Sequence, residues 1–203
     1  SRTATPLAWS IENTLAKREI DAFTRMGPTR GIRIVILSRI NRPCSVRKYA
    51  PSPRIAAAPQ INRSIRLFIV DANPYAEDHP EAKDFSKVFI NPRIVEESGD
   101  EWMFNEGCLS LPHIREDIIR KSLVKIQYYD RDFNFHEEEY SGVIGRIIQH
   151  EYDLLEGVVF TDRVSPLKKT LLRRKLNDIS KGNIDVAYKM IFPEKKKKST
   201  LKH

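Results

Sequence analysis

Hydrophobic positions along the chain change their period several times, and each change predicts an element. In SIENTLAKREIDAFTR, residues 10–25, Ser10 can cap a helix whose one side carries Ile11, Leu15, Ile20 and Phe23. Met26-Gly27-Pro28 ends it. IRIVIL at 32–37 has the apolar run of a buried strand, and the Pro- and Arg-rich stretch after it reads as loop. IRLFIVDA at 65–72 and LVKIQYYD at 123–130 are rich in β-branched and aromatic residues, which predicts strands. FNFHEEEY at 133–140 pairs with the second of these through the turn at 130–132. A helix is predicted over 142–155, where Val143, Ile147, His150 and Leu154 form one stripe and Ile144, Ile148, Glu151 and Leu155 the next. Ser165-Pro166 opens a second, basic helix through Leu167, Leu171, Leu172, Leu176 and Ile179, closed by Gly182. Short antiparallel strands followed by a helix that packs on them predict an α+β fold.

Charge adds a second layer. The 203 residues carry a net +8, unevenly spread. Residues 22–70 hold ten basic and no acidic side chains, 71–162 hold nine and twenty-one, and 163–203 hold thirteen and three. An acidic centre between two basic arms suits contact with a polyanion, nucleic acid foremost. Solvated faces and an extended tail explain the same counts. The candidate phosphate-contacting residues are Arg39, Arg42, Arg47, Lys48, Lys168, Lys169, Arg173, Arg174, Lys195, Lys196, Lys197 and Lys198. No apolar run approaches a membrane span, so a spanning segment is not expected. Cys44 and Cys108 cannot build a disulfide framework, which favours a reducing compartment. A chain starting at Ser1 without methionine fits trimming or processing.

Three segments carry chemistry: IAAAPQI at 55–61, EGCLSLP at 106–112 and QHEYD at 149–153. In this order and spacing they resemble the peptide deformylases, which remove the formyl group from the N-terminal methionine of nascent chains. The resemblance runs over 32–179 and includes VFINPRI at 88–94 and GVVFTDR at 157–163. It implies an α+β, peptide-deformylase-like fold with antiparallel sheets around a central helix bearing an HExxH-type motif. The chain divides accordingly into a helical extension (1–31), the deformylase-like domain (32–182) and a basic tail (183–203).

In the family a cysteine thiolate and two histidines hold a divalent metal, usually iron, whose bound water attacks the formyl carbon. Carried over, the thiolate is Cys108 and the first histidine His150. Glu151 is the acid/base, with Gln60 and the Leu109 backbone N–H as oxyanion donors. The second histidine falls on Leu154, which has no lone pair. Asp153 sits about 100° round the helix, and His113 would have to fold back to replace it. His79 and His136 read as surface residues. Two family glycines before the alanines are replaced by Pro53 and Ile55, which should hinder pairing with an extended peptide. The family's helix between first strand and motif is also reduced to a short segment.

These departures lead to an expected reading. The chain would have lost its metal site, with Cys108 and His150 vestigial and no cofactor bound, and a peptide substrate would be unlikely. It would serve as a binding component of a ribonucleoprotein, the mitochondrial ribosome or its assembly intermediate, with ribosomal RNA and ribosomal proteins as partners in the matrix. The alternative is an active or weakened metal-dependent deformylase using Fe2+ or Zn2+ with a rescued site.

Overall fold

The computed structural model describes residues 55–61 and 63–186, with Tyr188, Met190 and Phe192. The helix expected over 10–25, the strand over 32–37 and most of the basic tail lie outside them. Five strands form one antiparallel sheet: β1 (Ala56–Ala57), β2 (Leu67–Asp71), β3 (Ser86–Cys108), β4 (Leu111–Tyr129) and β5 (Phe135–Ser141). Each pairs with the next in sequence, so the sheet is a meander. Two helices follow, α1 (Gly142–Leu155) and α2 (Pro166–Ser180). The α+β class and the strands expected at 65–72, 123–130 and 133–140 are present, as are both later helices.

Much of β3 and the first half of β4 escaped the pattern. β3 is 23 residues long and crosses Asn91-Pro92 and Ser98-Gly99, which read as breakers. Register shifts near those positions absorb them, with Asn91 at φ 48° and Gly99 at φ 75°. A side chain at Gly99 would collide with Ser122 Oγ, so this bend requires glycine. Further along, Cys108 pairs with Leu111, leaving Leu109 and Ser110 as a two-residue turn. That turn becomes important for the site.

The sheet's inner face meets α1. Phe68 stacks on Phe89 at 4.6 Å, and Phe89 lies 4.4 Å from Tyr128, measured between ring centroids. Val143, Ile144, Ile147, Ile148 and Leu154 close this core from the helix side. A second cluster joins Leu111, Ile114 and Ile118 of β4 to Phe160, Val164, Leu172 and Ile179. On α2, Ser165 Oγ accepts from the Lys168 N–H at 3.4 Å and Pro166 takes the first helical position, as expected for a cap. The expected apolar stripe on α2 is narrower than drawn. Leu167 and Leu171 are each 71% exposed, because only the Leu172 and Ile179 side faces the second cluster.

Two charge clusters tie the sheet together. At the rim, Lys87 Nζ donates to Glu138 Oε2 at 2.7 Å and to Tyr140 Oη at 3.0 Å, while Tyr128 and Tyr140 also donate to Glu138. Burial alone would raise the Glu138 pKa, but Lys87 and the two hydroxyls outweigh it and lower it from 4.5 to about 2. In the interior, Arg120 donates to Glu106 Oε1 at 2.7 Å and Oε2 at 3.0 Å, and to Asp153 Oδ2 at 2.7 Å. Arg146 adds a bond to Glu106 Oε1 at 3.1 Å. This joins β3, β4 and α1 through buried charge.

A carboxylate with a depressed native pKa stabilises the fold above its unfolded pKa and loses that contribution as pH falls. Glu138 should therefore contribute about 1–2 kcal/mol near neutrality, after allowance for solvent screening, that disappears between about pH 5 and pH 2. Urea unfolding of Glu138→Gln across that range should show a flatter pH dependence than the parent. Arg120→Met strands the Glu106 and Asp153 charges and should cost about 3–5 kcal/mol by the same method. Adding Glu106→Gln to that variant should recover part of the loss.

Candidate active site

Gln60 lies in a single 3-10 turn, Ala58–Ile61, directly after β1. Its Oε1 accepts the Ala57 N–H at 2.9 Å, which fixes the amide plane. The Nε2 end then points to Cys108 Sγ at 3.8 Å and Ser110 Oγ at 3.1 Å. Cys108 ends β3, and the Leu109–Ser110 turn carries the next backbone N–H around it. Tyr188 Oη donates to the Leu109 carbonyl at 2.9 Å.

The helix side supplies His150 and Glu151. His150 Nδ1 lies 2.9 Å from Glu106 Oε2. An ionised carboxylate only accepts, so Nδ1–H is the donor in this bond. Burial alone would lower the His150 pKa, but Cys108 and Glu106 outweigh it and hold it well above the ordinary value. Glu106 is driven the other way: burial would raise it, yet His150 and Arg120 keep it far below the usual carboxylate range. Glu151 is 3% exposed, and its Oε2 has no partner among the described residues. Burial pushes its carboxyl up to about 7, opposed by His150 and an Ala57 N–H.

Gln60, Cys108, Leu109, His150 and Glu151 thus converge, as their motifs implied. The charged frame behind them was not anticipated: Glu106, Arg120, Arg146 and Asp153 are all buried. Arg146 lies one turn before His150 on α1, inside an apolar stretch, and that misplaced charge was the available signal. Asp153 is committed to Arg120 and Arg163 and offers nothing to Cys108. His113 does not fold back as a ligand; its Nε2 is 3.0 Å from the Asp185 carbonyl. His136 is less free than a surface reading implied, since it stacks on Tyr128 and lies 2.7 Å from Asp130 Oδ2. His79 sits 3.7 Å from Glu81.

A metal of the family's kind would need three protein donors. Cys108 and His150 supply two, and the position one turn on is Leu154, 2% exposed and packed in the main core. No cluster of three or more His, Cys, Asp or Glu suited to a metal exists among the described residues. The residues present do not complete the set. Separately, a 470 Å³ cavity opens beside Lys87, Tyr128, Asp130 and His136, and none of the converging residues lines it.

Four of the basic residues expected at phosphate lie in the described part. Lys168 pairs with Glu116 at 2.7 Å and Lys169 with Asp162 at 3.8 Å, while Arg173 and Arg174 are exposed. Arg39, Arg42, Arg47, Lys48 and Lys195 to Lys198 lie outside the described residues, as does Pro53. Ile55 packs partly buried against the main core. No described helix is long and apolar enough to cross a membrane.

Comparison with known proteins decides between the two expected readings. The polypeptide deformylase family model matches residues 51–170. The peptide deformylase of Christiangramia forsetii is 51% identical over 148 residues, spanning 70% of this chain and 76% of that protein. That of Flavobacterium johnsoniae is 47% identical over the same length, with the same coverage of each. Among solved structures, a Plasmodium falciparum peptide deformylase bound to an inhibitor superposes with a TM-score of 0.53 at 35% identity, covering 63% of this chain and 73% of that one. Arabidopsis thaliana peptide deformylase 1B gives 0.56 at 31% identity, covering 64% and 69%. These relatives overturn the expected non-catalytic, RNA-binding component of a ribonucleoprotein and favour the alternative, a deformylase. Leucine at 154 removes one ligand and leaves Gln60 beside Cys108 and His150 on Glu106. The chain belongs to the polypeptide deformylase family.

Proposed function

We propose that the chain is a peptide deformylase, hydrolysing the formyl amide at the N-terminal methionine of a peptide. One observation carries the reading: Gln60, Cys108, His150 and Glu151 reach one spot from three distant segments, with Gln60 Nε2 held toward Cys108 by the Ala57 N–H. The family's relatives, named peptide deformylases, support the same reaction.

Attack at the formyl carbon places negative charge on its oxygen. Gln60 Nε2–H and the Leu109 N–H are the donors that receive that charge, and both are fixed before substrate arrives. Glu151 has a carboxylate oxygen free of described partners and moves a proton between water and the departing amine. His150 is locked by Glu106, so its ring cannot turn away during the reaction. No step is routed through a metal, because the described residues offer two donors and not three.

The measurement is formate released from an N-formylmethionyl dipeptide by the full chain. Turnover by the native protein is expected. Gln60→Ala should lower kcat about 10²–10³-fold, the loss of one oxyanion donor. Glu151→Gln should lower it about 10²–10⁴-fold, the worth of a proton carrier. Circular dichroism should report both variants folded. No formate from native protein at millimolar peptide would sink the proposal.

A further inference from the structure

The two-residue turn after β3 bears on both donors that receive charge from the formyl oxygen. Leu109 supplies its own backbone N–H, and Ser110 Oγ accepts from Gln60 Nε2 at 3.1 Å. Cys108 and Leu111 pair across the base of the turn, which fixes its two ends. Ser110 is buried, but the Leu109 side chain is 52% exposed, so apolar packing does little to fix the outer residue. A polar contact does: Tyr188 Oη donates to the Leu109 carbonyl at 2.9 Å.

The Leu109 N–H lies in the peptide plane shared with Cys108, and the Leu109 carbonyl in the plane shared with Ser110. The two rigid planes meet at the Leu109 Cα, with one φ and one ψ between them. Pairing of Cys108 with Leu111 holds the first plane, and the Tyr188 hydroxyl holds the second. Tyr188 is anchored in turn. Gly182, at φ 76°, turns the chain after α2, and a side chain there would meet the Phe192 ring at 2.9 Å. Ile184, Met190 and Phe192 pack against the second core cluster, and the Asp185 carbonyl lies 3.0 Å from His113 Nε2 on β4. Residues on both sides of Tyr188 are thus tied to the wall behind the turn. Tyr188 also lies beyond residues 51–170, the stretch that the family model matches.

Resting on the deformylase reading, we infer that Tyr188 is a positioning residue for the reaction, whose hydroxyl aims the Leu109 N–H and steadies Ser110 against Gln60 Nε2 by holding the Leu109 carbonyl. It touches no reacting atom. The charge it serves develops only as the formyl carbon is attacked, so its contribution is made in the transition state and not in the bound peptide. Loss of such a contribution lowers kcat and leaves KM alone.

The test compares the full native chain with Tyr188→Phe, which keeps the ring and removes the hydroxyl, by formate release from an N-formylmethionyl dipeptide. Loss of one ordinary hydrogen bond predicts a kcat about 3–10-fold lower with KM within about twofold of native. The circular dichroism spectrum should stay native, and the Leu109 and Ser110 N–H resonances should both shift in amide NMR. A kcat within about twofold of native, or a KM that rises in step with the loss, would overturn the positioning role and leave the deformylase reading intact. Unshifted Leu109 and Ser110 resonances, or a loss of kcat that accompanies a changed circular dichroism spectrum, would overturn it equally. No formate from the native protein would overturn both.

Discussion

A single carboxylate holds the functional half of this protein in register. Glu106 sits 5% exposed on β3 and receives Arg120 from β4 and both Arg146 and His150 from α1. Removing such a charge from water costs several kcal/mol, and only multiple donors offset it. The arrangement therefore fixes how α1 sits on the sheet. It also sets the angle of the imidazole over the Cys108 turn. Packing of Phe68, Phe89, Ile147 and Ile148 supplies the bulk of burial, but apolar contact has no direction. Orientation comes from the charges.

That support explains why the site stays assembled after a ligand is lost. Leu154 faces the main core, where an isobutyl group is at home, and it makes no demand on Glu106. Gln60 is positioned independently by the Ala57 N–H and Ser110. Loss of one imidazole changes the chemistry available and leaves the scaffold alone. The same separation shows at Ile55, which packs against the core beside a β1 that still pairs with β2 in register.

Legibility in the sequence followed the physics of each element. The helix at 142–155 was readable from its apolar period, the strand at 65–72 from an apolar run with both faces covered, and the strand at 133–140 from strict alternation of exposed and half-buried positions. β3 was not, since its bulges at Ile94/Glu96 and Ser98/Glu101 break the alternation that marks a strand. The site residues Gln60, Cys108, His150 and Glu151 were readable as motifs. The frame of Glu106, Arg120, Arg146 and Asp153 was not, because a buried ion network depends on contacts up to 44 residues apart that leave no local pattern. The functional misreading came from Leu154: a missing donor says that one chemistry is unsupported, and nothing about the residues around it.

What remains is whether Glu106 orients the imidazole. A crystal structure of the full chain carrying Glu106→Ala reads this directly. The His150 ring is expected to leave its present angle, while Gln60 Oε1 still accepts the Ala57 N–H. A His150 ring unmoved in that variant would contradict the account.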